Sequence, residues 1–162
     1  MSFSTRTRLI LTICAIALAV AATPPVFVTL MARSGSTPHC EQVVGFFEDH
    51  LVTPPPALTT AGSVFGSLRG DLKFSLIDET ASLTPNVSFY DAKSSIDTEH
   101  GSLFIDEAGV TDGSNGNLTV LQTITGGSGR YQGATGQIFE SGNFNFSTLK
   151  GQGVYEGSVC TP

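Results

Sequence analysis

The chain has 162 residues, a length that suits one domain. Its 14 acidic and 8 basic residues give a formal net charge of −6, and no basic run follows residue 8. This charge argues against a nucleic-acid partner, because neutralising phosphates requires clustered Lys and Arg. Eleven Phe residues and an apolar fraction of 40% supply enough material for a packed core. Most of the chain is therefore expected to fold.

Residues 1–21 have the pattern of a secretory signal peptide. Arg6 and Arg8 precede the apolar run Leu9–Ala22, and Ala19-Val20-Ala21 has the small-x-small pattern of a cleavage site. The run is shorter than the roughly 20 residues that a membrane-spanning helix needs. We predict a signal helix, export of the protein, and a flexible linker at residues 22–39.

Two cysteines, Cys40 and Cys160, lie at the two ends of the predicted folded part, residues 40–162. An even pair in an exported chain most simply forms one disulfide. The alternative is a metal site with His39, but the C-x-x-C or H-x-x-x-H spacing of a zinc site is missing. We predict the disulfide, with no metal and no cofactor.

Three N-x-S/T sequons begin at Asn86, Asn117 and Asn145. In a eukaryotic secretory pathway each could be glycosylated. In a bacterium they would be chance occurrences in a chain rich in Ser, Thr and Asn. We therefore treat the three asparagines as glycosylation candidates.

Alternating apolar and polar residues predict β-strands throughout the folded part. The clearest case is Val64–Leu76, whose period of two indicates a half-buried strand, or two strands joined at a glycine. Asp78–Asn86 and Gly109–Gly116 are predicted to be loops. The other predicted strands are Val43–His50, Val87–Thr98, Ser102–Asp106, Asn117–Thr125, Gln137–Glu140, Asn143–Ser147 and Gly151–Val159.

About eight short strands with Gly-rich turns are typical of a sandwich or a barrel. A disulfide between the first and last strands favours the barrel, since closure brings those strands together. Outside the signal, no segment has the apolar stripe of an amphipathic helix. The predicted class is all-β.

Five glycines crowd the stretch Thr125–Gln137, TGGSGRYQGATGQ, between two predicted strands. A P-loop is excluded because no Lys follows a glycine at the required spacing. The dinucleotide fingerprint fails because Gly133 comes one residue too late after Gly129. Glycines between two strands are typical of bulges, sharp twists or close strand approach in a curved sheet.

This stretch resembles the signature of the allene oxide cyclase and dirigent barrel superfamily, TGGSG…G…GQ. The resemblance covers about Gly45–Cys160. It implies an eight-stranded antiparallel barrel with a ligand-sized interior, often assembled as a homotrimer. It also implies a small hydrophobic ligand and, in the cyclase, an isomerase-like activity on an oxylipin.

The chain departs from the family at the residues that carry activity. Where dirigent proteins have an acid and an arginine for phenoxy-radical coupling, this sequence has Arg130 and Thr135. Glu48-Asp49-His50 is similar to the family's His-Asp pair only in reversed order. Neither family activity is carried over by these positions.

Four residues are candidates for acid–base catalysis. Glu48, Asp49 and His50 cluster at a strand end, where an acid and an imidazole could share a proton. The alternative is an exposed strand end before a proline turn. Tyr90 and Asp91 lie on opposite faces of one strand, so only one can point into a barrel. A buried Asp91 would be a general-acid candidate, and solvent exposure is the alternative.

Three residues are candidates for ligand binding: Tyr90, Arg130 and the aromatic Tyr131. Arg130 could bind an anionic group, or lie in solvent beside its loop. We expect an exported barrel that binds or steers a small hydrophobic molecule. One alternative is a cyclase or isomerase acting on an oxylipin or phenolic substrate, and another is a structural surface protein whose barrel is filled.

N-terminal sequencing of secreted material tests the predicted export. We expect the mature chain to begin near Ala22, because the cleavage pattern ends at Ala21. The alternative is a membrane anchor over residues 9–32, which a second apolar stretch after the signal would complete. A start at Met1 or Ser2 would refute cleavage.

Overall fold

Eight antiparallel strands close into a barrel in the computed structural model, which describes residues 37–162. Each strand pairs with the next one in sequence, and the last pairs with the first. The strands are β1 (His39–Thr53), β2 (Thr59–Gly66), β3 (Gly70–Ala81), β4 (Val87–Thr98), β5 (Gly101–Asp112), β6 (Asn117–Gly127), β7 (Thr135–Asn145) and β8 (Lys150–Thr161). The predicted all-β barrel is confirmed. The predicted signal helix and most of the predicted linker lie outside the described residues.

Several predicted element boundaries were wrong. β3 extends into the predicted loop Asp78–Asn86, and β5 extends into the predicted loop Gly109–Gly116. The two short strands predicted between Gln137 and Ser147 are one strand, β7. Gly109 and Gly142 caused two of these errors, because they do not turn the chain. A Cβ on Gly109 would lie 2.2 Å from the Tyr90 ring, and one on Gly142 would lie 3.0 Å from the Phe47 ring, so both glycines make room for a neighbour.

The ladder between β1 and β8 closes the barrel. It runs from the pair His39–Thr161 to the pair His50–Lys150 without a register shift. Cys40 and Cys160 are direct partners in this ladder and form a disulfide, which confirms the predicted pairing. The disulfide closes a sequence separation of 120 residues, which would stabilise the fold by roughly 4–5 kcal/mol in the chain-entropy model.

The up-and-down topology gives the barrel two distinct ends. The end that we call the terminal end holds the start of β1, the end of β8, and the connections β2–β3, β4–β5 and β6–β7. The other end, which we call the proline end, holds the connection of Pro54, Pro55 and Pro56 between β1 and β2, together with β3–β4, β5–β6 and β7–β8. As predicted, β1 stops before these prolines, which offer no N–H to a ladder.

Apolar side chains fill the barrel towards the terminal end. We call this set the apolar plug, and its largest fully buried members include Leu103, Ile105 and Ile138. Tyr155 belongs to it through its ring, while its hydroxyl accepts a hydrogen bond from Leu68 N at 2.9 Å. The other members are Val43, Phe47, Val64, Leu68, Leu72, Ile96, Ile124, Ala134 and Val159.

The Gly-rich stretch lies at the terminal end and forms the β6–β7 connection. A single 3-10 turn, Gly129–Tyr131, follows β6, and Gly129 has a φ of 58°. Arg130 N donates to His100 O at 2.8 Å, which fixes this turn against the β4–β5 connection. A Cβ on Gly127, Gly129 or Gly136 would lie within 2.4 Å of a neighbouring carbonyl oxygen, so these three glycines serve close chain approach, as the sequence pattern predicted.

Apolar side chains also lie on the outer surface. Phe46 and Phe65 stack with ring centroids 4.8 Å apart, and exposed Val154 is the ladder partner of Phe46. The predicted homotrimer stays a prediction, and these side chains would be available to such an interface. Across residues 37–162 no helix has the length and apolar character needed to cross a bilayer.

Candidate functional site

A cavity of about 430 Å³ lies at the proline end of the barrel. This volume falls in the range of roughly 300–1,000 Å³ that is typical of small-molecule sites. Asp49, Thr60 and Tyr90 form what we call its polar region, and the polar residues Glu79, Ser88 and Thr111 also line it. Most of the remaining wall is apolar, with contributions from Pro55, Leu58, Phe74, Leu76, Leu118, Phe144 and Phe146. The cavity therefore offers an apolar surface and a localised polar region.

Three carboxyl groups face the barrel interior next to this polar region. We call Asp49 of β1, Glu107 of β5 and Glu140 of β7 the acidic cluster. Gln122 of β6 connects two of them, because its Nε2 donates to Glu107 Oε1 at 3.0 Å and to Glu140 Oε2 at 2.8 Å. Thr60 Oγ1 donates to Asp49 Oδ2 at 2.5 Å. Neutral donors thus hold all three carboxyl groups.

Alternation along each strand explains why these polar groups point inward. Glu107 follows Leu103 and Ile105 on the inner face of β5, and it is 6% exposed. Gln122 lies between inward-facing Val120 and Ile124 on β6, and it is 4% exposed. Residues two apart on a strand point to the same face, so burial of the apolar neighbours also turns Glu107 and Gln122 inward.

Burial raises the pKa of every member of the acidic cluster. For Glu107, burial outweighs the lowering effects of Ser94 and Gln122 on its pKa. For Asp49, burial outweighs the Thr60 hydrogen bond, which lowers the pKa. Glu140 keeps some accessible surface, but protein atoms surround its carboxyl group. Its pKa lies well above the ordinary value because of that burial and of the charges on Glu107 and Asp49.

Tyr90 places a phenol in the cavity wall, close to the acidic cluster. Its ring lies over Gly109 and makes an edge contact with Phe74 at a centroid distance of 6.0 Å. Burial raises the pKa of Tyr90, and the nearby charges of Glu107 and Glu140 raise it further. The phenol therefore stays neutral and can donate or accept a hydrogen bond.

In the proline-end cavity the structure brings together two of the residues singled out from the sequence, Asp49 and Tyr90. Glu48 and His50 flank Asp49 along β1 and are exposed. Asp91 is also exposed, because Tyr90 occupies the inward position on β4. These three exposed residues lie outside the cavity.

Arg130 and Tyr131 lie at the terminal end, away from the cavity. Arg130 Nη2 is 3.0 Å from Glu41 Oε1, and Tyr131 packs against the apolar plug. Both residues line a second depression of about 480 Å³. Its His100 is paired with Glu99 at 3.3 Å, and both side chains are exposed. Because its Arg130 and His100 are exposed and already paired with carboxylates, this depression is the weaker candidate.

Sequence reasoning missed Glu107, Gln122 and Glu140. The predicted strand Ser102–Asp106 stopped one residue before Glu107. Gln122 and Glu140 lay inside predicted strands, at the inward positions of their alternation. Extending each alternation through its polar residue would have identified all three as barrel-interior groups.

The three sequon asparagines are exposed and lie near the proline end. Asn86 is in the β3–β4 connection, Asn117 begins β6, and Asn145 ends β7. Asn145 Oδ1 accepts hydrogen bonds from Ser147 N at 2.9 Å and from Thr148 N at 3.0 Å. Their glycosylation stays a prediction.

No protein-family model matches the chain, and no curated protein matches its sequence. Within the part of the chain that the structure describes, no three His, Cys, Asp or Glu residues form a group that could hold a metal ion. The function therefore has to be inferred from the geometry of the cavity.

The acidic cluster predicts a pH dependence of stability. A carboxyl group whose pKa is raised in the folded state stabilises the fold while it is protonated. This stabilisation is complete below the unfolded-state pKa of about 4, and it is lost as the pH rises through the folded-state pKa. The free energy of unfolding should therefore decline between pH 5 and 8. We expect Glu140→Gln to remove part of this decline, up to about 1.4 kcal/mol per pH unit. Urea unfolding at a series of pH values measures this slope.

Glu156→Gln is the matched control, because it removes one carboxylate from an exposed position on β8. The window avoids lower pH, where the lowered pKa values of Asp97 and Asp112 oppose the effect. Parallel profiles for the wild type and Glu140→Gln would contradict the prediction.

Proposed function

We propose that this protein is an exported barrel that binds a small, mainly hydrophobic molecule in the proline-end cavity and steers its conformation. The observation that carries the proposal is the cavity itself, with its apolar wall and the polar side chains of Asp49, Thr60 and Tyr90. An apolar wall supplies binding free energy of roughly 25 cal/mol per Å² buried. Localised polar groups fix the orientation of the bound molecule.

Packing around the cavity supports a site that is formed before the ligand arrives. A Cβ on Gly151 would lie 2.2 Å from Asp49 Oδ1, so glycine at this position makes room for the carboxyl group. Gly109 does the same for the Tyr90 ring. Side chains held in place by packing lose less freedom on binding, which favours affinity.

The division of the interior favours a ligand over a purely structural role. A structural protein was expected to have a filled barrel, and only the part nearest the terminal end contains the apolar plug. The plug also limits how far a ligand entering at the proline end can penetrate. A one-ended site of this kind suits steering, because the bound molecule has a single entry direction.

Filling the cavity mouth tests the proposal. Thr111 lines the cavity, and Thr111→Trp should occupy the space that the ligand needs. We expect at least one compound of a phenol and oxylipin panel to raise the melting temperature of the wild type. At a ligand concentration of 100 Kd, binding stabilises the folded state by about 2.7 kcal/mol. The same compound should give little or no shift with Thr111→Trp.

Thr123→Trp is the matched control, since Thr123 is exposed on β6 and lies outside the cavity lining. This variant should keep the full thermal shift. A shift that survives in Thr111→Trp would place the binding site elsewhere, and a panel without any stabilising compound would contradict the proposed ligand class.

A second candidate function is cyclisation or isomerisation of the bound molecule. It is favoured by the raised pKa of Asp49, whose carboxyl group lines the cavity. A protonated carboxyl can donate its proton to an oxygen on the substrate, and the resulting carboxylate can take a proton back from carbon or oxygen. Tyr90 lines the same cavity and can hydrogen-bond to the reacting oxygen.

Asp49→Asn separates the catalytic function from simple binding. It keeps the size of the side chain and removes its ability to exchange a proton at neutral pH. With an epoxide-bearing oxylipin as substrate, we expect product formation to fall by about 10²–10⁴-fold, the usual contribution of general acid–base catalysis. Chromatography of the products measures the rate, and the thermal shift reports whether binding persists.

Asp91→Asn provides the control, because Asp91 is an exposed aspartate outside the cavity lining. It should leave product formation unchanged. An unchanged rate in Asp49→Asn would rule out Asp49 as the acid, while wild-type protein that binds without forming product would leave binding and steering as the function.

A further inference from the structure

The barrel interior contains three carboxyl groups without a compensating cation among the described residues. Glu107 and Glu140 share the amide of Gln122, and Asp49 interacts electrostatically with both. None of the ion pairs formed within residues 37–162 involves a member of the acidic cluster. Burying several carboxyl groups together without a cationic partner is costly even where neutral donors hold them, so this arrangement calls for a role.

Ser94 gives an independent sign that a polar group is missing from the interior. Its side chain is 7% exposed on the inner face of β4, and its hydroxyl has no well-formed hydrogen bond. It nevertheless lies close enough to Glu107 to lower the pKa of that carboxyl group. Asp49 Oδ1 is likewise buried without a well-formed hydrogen bond, although the Gly151 backbone lies close enough to lower the pKa of that carboxyl group. Buried polar atoms of this kind usually have a partner. Of the two residues, Asp49 lines the cavity, so its carboxyl group is the one that a ligand there can reach.

The cavity adjoining these groups carries negative and aromatic residues together. Its lining includes Asp49 and, at the rim, Glu79, which accepts a hydrogen bond from Ser88. Among the described residues, none that lines the cavity is Lys, Arg or His. The aromatic faces of Phe74, Tyr90 and Phe144 also favour a cation over an anion.

We propose that the ligand of this cavity is a cationic amphiphile, with an apolar body against the wall and a protonated amine against Asp49, the member of the acidic cluster that lines the cavity. This inference rests on the proposed function, because it names the chemical class of the molecule that the same cavity binds. An ammonium group supplies three hydrogen-bond donors and one positive charge. It thereby satisfies buried acceptors and offsets the repulsion among the carboxylates, which a neutral alcohol of equal length does only in part.

Charge pairing also fixes the sign of the pH dependence. An amine bound beside the acidic cluster favours the ionised carboxylates, so binding releases protons and strengthens as pH rises from 5 to 8. The titratable groups that face Asp49 are Glu107, Glu140 and Tyr90, and His50 acts on Asp49 from the outer face. Glu79 faces the cavity from the rim. A neutral ligand would show no such increase.

Octylamine and octanol are matched probes for isothermal titration calorimetry on the disulfide-bonded protein. We expect octylamine to bind at least about 10-fold more tightly than octanol at pH 7, equivalent to 1.4 kcal/mol. Titrations in buffers of different ionisation enthalpy should show proton release for octylamine only. Asp49→Asn should reduce the preference for octylamine over octanol several-fold.

Two further variants control the experiment. Glu48→Gln removes a neighbouring carboxylate from the exposed face of β1 and should keep the amine preference. Thr111→Trp should abolish binding of both probes. If octylamine binds this variant as it binds the wild type, the amine is held at the protein surface, and the inference is overturned. The proton-release measurement uses the wild type and therefore decides even if Asp49→Asn fails to fold.

The two probes distinguish failure of this inference from failure of the proposed function. If octanol binds as tightly as octylamine and Thr111→Trp abolishes the binding of both, the inference of a cationic ligand is overturned. The proposal that the barrel binds a hydrophobic molecule then still stands. Absence of binding by both probes would overturn the inference and count against the proposed function as well.

Discussion

The ladder between β1 and β8 is the constraint on which the rest of the structure depends. It pairs the strands without a register shift and places Cys40 directly opposite Cys160. Closure removes the two sheet edges that an open eight-stranded sheet would expose. It also creates an interior with a fixed inside and outside for every strand, so that each inward residue must pack, hydrogen-bond or line a cavity.

The interior divides along the barrel axis into regions of different chemistry. The apolar plug supplies the packing towards the terminal end. The acidic cluster with Gln122 occupies positions nearer the middle, and the cavity opens beyond it at the proline end. Replacing the buried carboxyl groups by apolar residues of similar size would be expected to stabilise a barrel of this kind. Their presence next to the cavity is what the proposed ligand would explain.

The sequence was sufficient to predict the fold class but not the content of the site. Period-two patterns identified β4 with its observed bounds, and the cysteine pair predicted closure correctly. Glycines caused errors, because Gly109 looks the same in sequence whether it turns the chain or makes room for Tyr90. That distinction depends on a neighbouring strand, which a single sequence does not specify.

The residues of the site were hard to predict for a related reason. Asp49 and Tyr90 were candidates because they are ionisable residues on strands, and so were exposed Glu48 and Asp91. Only the direction of each side chain separates the two pairs, and that direction depends on register. Glu107 and Glu140 were missed because a charged residue in a strand is more often exposed than buried.

Methyl NMR tests most directly whether the proline-end cavity holds the ligand. Spectra are compared without ligand and with octylamine, or with a compound of the phenol and oxylipin panel that binds. The account predicts that methyl signals of Leu58, Leu76 and Leu118 shift on binding, because these residues line the cavity. Signals of Leu103 and Ile138 in the apolar plug should move little. Shifts confined to outer-surface residues such as Val44 and Val154, with the cavity methyls unchanged, would contradict it.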